Sequence, residues 1–276
     1  MNNFIQRTIT GFFFVTILLS GIFFGKYTFI GLFMLITFTS LWEFYSMTEK
    51  SGFRPQKLIG TLAGTAFFLI SSLYLQRVLP QAYLIFLFPM LFLIMILELF
   101  KPTDKPITNT AITLVGVFYL SMPLVLLNYL AYPPPIGSSS ASGYNPNIIL
   151  GFFFLMWTND SFAYLTGVKF GKRKLFESIS PKKTWEGSFG GAFFTIIVAF
   201  FLSHYFHELR LRDWLIMAGL ITVFGTLGDL VQSNFKRSLN LKDSGTLLPG
   251  HGGILDRLDS VFIASPFVFA YIQYLK

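Results

Sequence analysis

The chain alternates long apolar stretches with short polar connections. A helix that crosses a bilayer needs about 20 mostly apolar residues, and that window selects 11–24, 28–47, 58–75, 82–100, 111–132, 147–168, 187–206, 213–232 and 254–275. Nine spans are therefore expected, the first of them retained because no small-residue cleavage site follows it. The sixth, eighth and ninth carry acids that a lipid-facing helix would not tolerate, so those helices face protein or water along part of their surface.

Threading nine spans puts the basic residues on unequal sides. The N-terminal tail and the connections after spans two, four, six and eight carry 15 Lys/Arg, against 5 on the other side. By the positive-inside rule the N-terminus and the basic connections are cytoplasmic. Residues 133–146, with a run of prolines and serines at their start, read as a neutral extracytoplasmic loop between an N-terminal bundle (1–132) and a C-terminal catalytic region (147–276). Composition agrees with an all-α polytopic membrane protein. Of 276 residues 53% are hydrophobic and 12% charged, about half the charge density of a soluble domain, which excludes a soluble globular enzyme. The absence of cysteine excludes disulfides, thiolate metal sites and thiol nucleophiles.

The polar residues inside the apolar pattern are the candidate chemistry. In the N-terminal half Glu43 stands out, near the cytoplasmic end of span two, where it either snorkels to the interface or faces the bundle. The other polar and small residues there, Gly60 and Gly64 among them, read as scaffold packing. Span six carries Asn159-Asp160-Ser161 midway along an apolar segment. After it come Lys172-Arg173-Lys174 and Ser180-Pro181-Lys182-Lys183-Thr184-Trp185-Glu186-Gly187, where cations and hydroxyls meet a helix start and can hold an anion. An ordinary positive-inside loop explains that segment equally well.

The densest segment follows Asp229: Ser233, Lys236-Arg237, Lys242-Asp243, Pro249-Gly250-His251-Gly252-Gly253, Asp256-Arg257 and Asp259. Asp256 and Asp259 are three apart, so on a helix they share a face and hold one or two hard cations. The glycines let backbone amides approach an anion. A lone histidine in such a turn is more often a loop hydrogen-bonder than a base, and Asp256 with Arg257 also reads as an ion pair that makes a helix insertable. Together, carboxylates, cations and a Gly-rich turn suit a metal-bound phosphate substrate.

The run Ser233–Asp259 resembles, position for position, the signature of the phosphatidate cytidylyltransferase (CDP-diacylglycerol synthase) family. Asn159-Asp160-Ser161-Phe162-Ala163-Tyr164, Gly167, Gly171-Lys172 and Ser180–Gly187 are similar to its upstream block. The resemblance implies an all-helical enzyme of the bacterial inner membrane, a homodimer, that joins CTP to phosphatidate to give CDP-diacylglycerol and pyrophosphate. It implies Mg2+, leaves room for K+, and calls for no nucleic-acid partner. Carried over by motif position, Asp229, Asp256 and Asp259 are the metal ligands, and Asp160 positions substrate. Lys182, Lys183 and Thr184 meet the triphosphate. Ser233, Lys236 and Arg237 hold the phosphatidate phosphate or the transferring group, while Lys242, Asp243, His251 and Arg257 complete the cytoplasmic wall. Rival readings are a membrane kinase or cytidylyltransferase for an isoprenoid lipid and, in another class, an ion-coupled transporter using Glu43, Asp160 and Asp229.

Overall fold

The structure, a computed structural model, describes residues 3–132, 143–245, 247, 250 and 252–275. Among these residues the regular structure is helical apart from one two-stranded hairpin. The helices are α1 (Asn3–Phe23), α2 (Lys26–Lys50), α3 (Lys57–Leu75), α4 (Leu87–Glu98), α5 (Pro106–Gly116), α6 (Met122–Leu130), α7 (Asn147–Phe170), α8 (Trp185–Tyr205), α9 (Leu211–Ser238) and α10 (Asp259–Tyr274). A 3-10 stretch, Gln81–Phe86, leads into α4, and a π-helical turn, Val117–Ser121, joins α5 to α6. Strands β1 (Lys174–Phe176) and β2 (Ser180–Thr184) pair antiparallel, with Lys174 opposite Thr184.

Seven of the described helical segments are long and apolar enough to cross a membrane, so the chain is an integral membrane protein. The other two expected spans correspond to α1, apolar over Thr8–Phe23, and to α10, which is shorter at 16 residues and contains Pro266. The last helix starts at Asp259, not at residue 254. His251, Lys276 and the 133–142 part of the expected loop lie outside the described residues.

The chain forms two compact units. The first comprises the residues up to Asn128 together with Leu239–Leu258, and the second Tyr129–Ser238 together with α10. Gly252 and Gly253 belong to the first unit.

In the first unit Tyr45 of α2 is fully buried and donates its hydroxyl to the Thr113 carbonyl at 2.7 Å. A Cβ at Gly60 or at Gly116 would come within 2.5 Å of that hydroxyl, so two small residues make room for one large ring. Gln56 ties the connection after α2 to its neighbours: its amide N–H reaches Thr113 Oγ1 at 2.9 Å, and its side chain donates to the Ile94 carbonyl and to Glu98, each at 2.7 Å.

In the second unit α7 and α8 pack through small residues. A Cβ at Gly187 would stand 2.7 Å from the Ala163 carbonyl and 3.1 Å from Gly167 Cα, and one at Gly191 would meet Asn159 and Ala163. Gly187 and Gly191, four apart, thus face Ala163 and Gly167, also four apart, the close-approach pattern of membrane helices. Trp214 of α9 lies buried against Gly151. Tyr271 of α10 donates to Asp213 of α9 at 2.8 Å, so the acid at the start of the eighth expected span is a structural partner.

Candidate active site

Each acidic or basic side chain of the second unit's cluster is placed by a local cause. α7 brings Asp160 one turn before Ala163, where the glycines of α8 hold that helix close. Glu186 in the first turn of α8 accepts from the Lys172 and Arg173 amides at 3.0 and 3.1 Å, which folds the connection back over the helix start. Thr184 caps α8 through Gly187 N–H at 3.2 Å. The stretch expected to be a loop leading into a helix is therefore a hairpin anchored by a carboxylate and a cap.

Within β2 the two lysines diverge. Lys182 is exposed, whereas Lys183 is half-buried, bonds Asp229 Oδ2 at 2.7 Å and also donates to the Thr226 carbonyl at 3.3 Å. Asp229 Oδ1 accepts from Ser233 at 3.1 Å. Ser233 sits one turn further along because α9 runs on to Ser238, beyond the span end expected at residue 232. Asp229, Ser233 and Lys236, at spacings of four and three, line one helical face. Lys236 and Arg237 occupy the last turn, where a cation complements the negative end of the helix dipole. Lys236 is buried at 9% exposure, while Arg237 is exposed.

The third helix of the cluster is α10, which begins on Asp259. Its carboxylate accepts from the Ser260 amide at 2.8 Å. A Cβ on Gly228 would stand 2.8 Å from the Asp259 carbonyl and 3.1 Å from Ser260 Cα, so the absence of a side chain at 228 sets the approach of α9 to α10. Asp259 lies within electrostatic reach of Asp229, Asp160 and Lys236, and Asp160 within reach of Asp229 and Lys183. Asp160, Lys183, Thr184, Asp229, Ser233, Lys236 and Asp259 are thus assembled in one unit from elements dispersed along the sequence.

Asp256 has a different setting. It sits in a 3-10 turn, Leu255–Arg257, of the first unit, and Leu258 with φ −121° and ψ 12° separates that turn from α10. Asp256 and Asp259 therefore do not share the face of one helix, contrary to what their three-residue spacing suggests. Asp256 Oδ2 accepts from the Ser244 and Gly253 amides at 2.9 and 3.1 Å, while Gly252 takes a left-handed φ of 84° beside it. Lys242, Asp243 and Arg257 are exposed.

Glu43, left undecided by the sequence, faces inward. It is 7% exposed and accepts from the Leu255 amide at 3.0 Å, which brings an α2 side chain onto the Gly-rich segment. The only signal of this in the sequence is an acid inside an apolar helix.

The carboxylate oxygens of the second-unit cluster are donors suited to a hard divalent cation. Among the described residues no three acidic or histidine side chains are close enough to share one ion. Mg2+ takes one or two carboxylates and completes its shell with water and phosphate oxygens. Carboxylates beside lysines, with an exposed Asp160, suit a polyphosphate accompanied by its metal.

A family model described as the cytidylyltransferase family matches residues 5–275. A protein of Haemophilus influenzae named phosphatidate cytidylyltransferase is 42% identical over 132 residues, 46% of this chain and 46% of that protein. Proteins of the same name from Staphylococcus aureus (strain COL) and Staphylococcus epidermidis are 47% and 48% identical over 120 residues, 43% of this chain and 46% of each relative. The chain spans about half the length of the curated relatives it matches.

Proposed function

The chain belongs to the cytidylyltransferase family, and from that premise we propose that it is a phosphatidate cytidylyltransferase, joining CTP and phosphatidate to give CDP-diacylglycerol and pyrophosphate. The observation that carries the reading is the Lys183–Asp229 pair at 2.7 Å, buttressed by Ser233 and standing with Asp160, Asp259 and Lys236 in one unit. The substrate class rests on the relatives' names. An oxygen of the phosphatidate phosphate attacks the α-phosphorus of CTP; the new P–O bond forms as the bond to the β-phosphate oxygen breaks, and pyrophosphate departs with that electron pair. No general base is needed, because the attacking oxygen is already ionised at neutral pH. The protein's work is to align two anions and stabilise spreading charge.

Lys183 binds a phosphate of the nucleotide, and Lys236 with Arg237 meets the lipid phosphate. Ser233 holds Asp229 in one orientation. Asp160 orients the incoming substrate. Mg2+, brought in with the nucleotide and held by Asp229 and Asp259, would supply charge neutralisation along the polyphosphate. Under the nine-span threading the basic hairpin and the basic end of α9 fall on the side with most of the chain's Lys and Arg, which supports a cytoplasmic site in the inner membrane.

The test is formation of labelled CDP-lipid from CTP in mixed micelles by purified protein, with phosphatidate or an isoprenoid phosphate as acceptor. Wild type should need phosphatidate and Mg2+, and chelation with EDTA should abolish product. Asp229→Asn should lose at least 100-fold in kcat, since an amide is a much poorer Mg2+ ligand. Product with isoprenoid phosphate alone would move the substrate to another lipid. Full activity of Asp229→Asn would remove the pair from the site.

A further inference from the structure

We propose that Glu43 is a positioning residue for the proposed reaction, acting through the Gly-rich segment that carries Asp256. The inference rests on the activity proposed above, but its physical basis is separate and lies wholly within the first unit. Glu43 comes from the last two turns of α2 and accepts from Leu255 N–H across 212 residues of sequence. A Cβ on Gly245 would stand 2.7 Å from Glu43 Oε1, and one on Gly253 would collide with Oε2 and with Ser244 Oγ. The carboxylate therefore occupies a space that exists because 245 and 253 lack side chains, and it meets the segment both before and after the Gly-rich turn.

Asp256 gathers the same two stretches from the other direction, through the Ser244 and Gly253 amides. Two carboxylates thus hold one backbone, Glu43 through Leu255 and Asp256 through residues 244 and 253. Loss of the first leaves the second to set the path alone. Glu43 Oε1 has no hydrogen-bond partner among the described residues, so replacing that oxygen by an amide nitrogen removes no observed bond. What the position requires is an acceptor at full glutamate reach. A residue of the same charge but shorter reach should fail where an uncharged residue of the same reach succeeds.

Three variants separate reach from charge: Glu43→Gln keeps reach, Glu43→Asp keeps charge but retracts the acceptor by about 1.5 Å, and Glu43→Ala removes both. Glu43→Gln should keep kcat/KM for CDP-lipid formation within about threefold. Glu43→Asp should lose about 100-fold, the scale of a 1 Å misplacement in a site. Amide hydrogen exchange, read by mass spectrometry on the same preparations, should accelerate in peptides covering 244–258 for Glu43→Asp and Glu43→Ala while α3 stays protected. Wild-type exchange of that segment in Glu43→Ala would overturn the clamp, as would an active Glu43→Asp beside an inactive Glu43→Gln. If wild-type protein forms no CDP-lipid, the proposed activity falls, and the exchange comparison still decides whether Glu43 holds the segment.

Discussion

Lys182 and Lys183 are adjacent and equally charged, and a strand sends them to different surroundings. Neighbouring side chains of a strand point to opposite faces: Lys182 is exposed, and Lys183 turns onto Thr226 and Asp229 of α9. A half-buried pair lies between the near-zero value of exposed ion pairs and the several kcal/mol lost when a buried one is broken. Lys183→Met should therefore cost about 2 kcal/mol in transition-state binding, roughly 30-fold in kcat/KM for CTP, and Lys182→Met only a few-fold. Steady-state kinetics on both variants checks this, and equal losses would mean that the strand's alternation does not govern which lysine meets the nucleotide. The sequence marks both lysines as candidates and cannot rank them. Asp229 lies far along the chain, on a helix whose facing is undetermined until its partners are known. Glu43 is undecided for the same reason: an acid near a helix end snorkels or turns inward according to what packs beside it.

Between elements, the same amino acid has opposite effects on one helix. Gly219 and Gly228 both lie within α9, yet a Cβ at 219 meets nothing within 4 Å, whereas one at 228 runs into the backbone of α10 at Asp259. Gly219→Ala should gain about 0.5–1 kcal/mol from helix propensity. Gly228→Ala has the same propensity gain but must push two helices apart, and should lose about 1–3 kcal/mol together with most activity as Asp229 and Asp259 separate. Thermal unfolding in detergent, followed by tryptophan fluorescence, compares them; a stabilised, active Gly228→Ala would show that this contact does not set the spacing.

The long helices are legible in the apolar pattern because hydropathy acts over whole turns, and each expected stretch overlaps a helix. Short polar elements are not. The strands at 174–176 and 180–184 are charged and too brief to show alternation, and the hairpin depends on Glu186 binding amides of residues 172 and 173, a contact no periodicity encodes. The helical face expected to carry both Asp256 and Asp259 is absent for a related reason: three-residue spacing implies a shared face only if the helix is continuous, and Leu258 breaks it.

For the molecule in its membrane, the charge distribution and the lengths of the helices constrain each other. α8 has 21 residues, about 30 Å at 1.5 Å per residue, which matches a hydrocarbon core. The hairpin before it and the Phe206–Arg210 connection after it must then lie on opposite faces. Their basic content differs: six Lys/Arg lie between the expected spans six and seven and two between seven and eight, which is the basis for proposing that the hairpin faces the cytoplasm. The chain contains no cysteine, and single cysteines therefore report position without background. Ser178 in the hairpin turn and His207 beyond α8 are both exposed. In intact spheroplasts a membrane-impermeant maleimide should label His207→Cys and leave Ser178→Cys unmodified until the membrane is opened. Reversed labelling would place the Lys183–Asp229 cluster on the outer face, away from the nucleotide pool, and would defeat the proposed reaction. Labelling of both from one side would show that α8 does not cross. Inner-face hairpin and outer-face His207 would leave a water-soluble triphosphate and a membrane-held phosphate meeting at the only boundary where both are present.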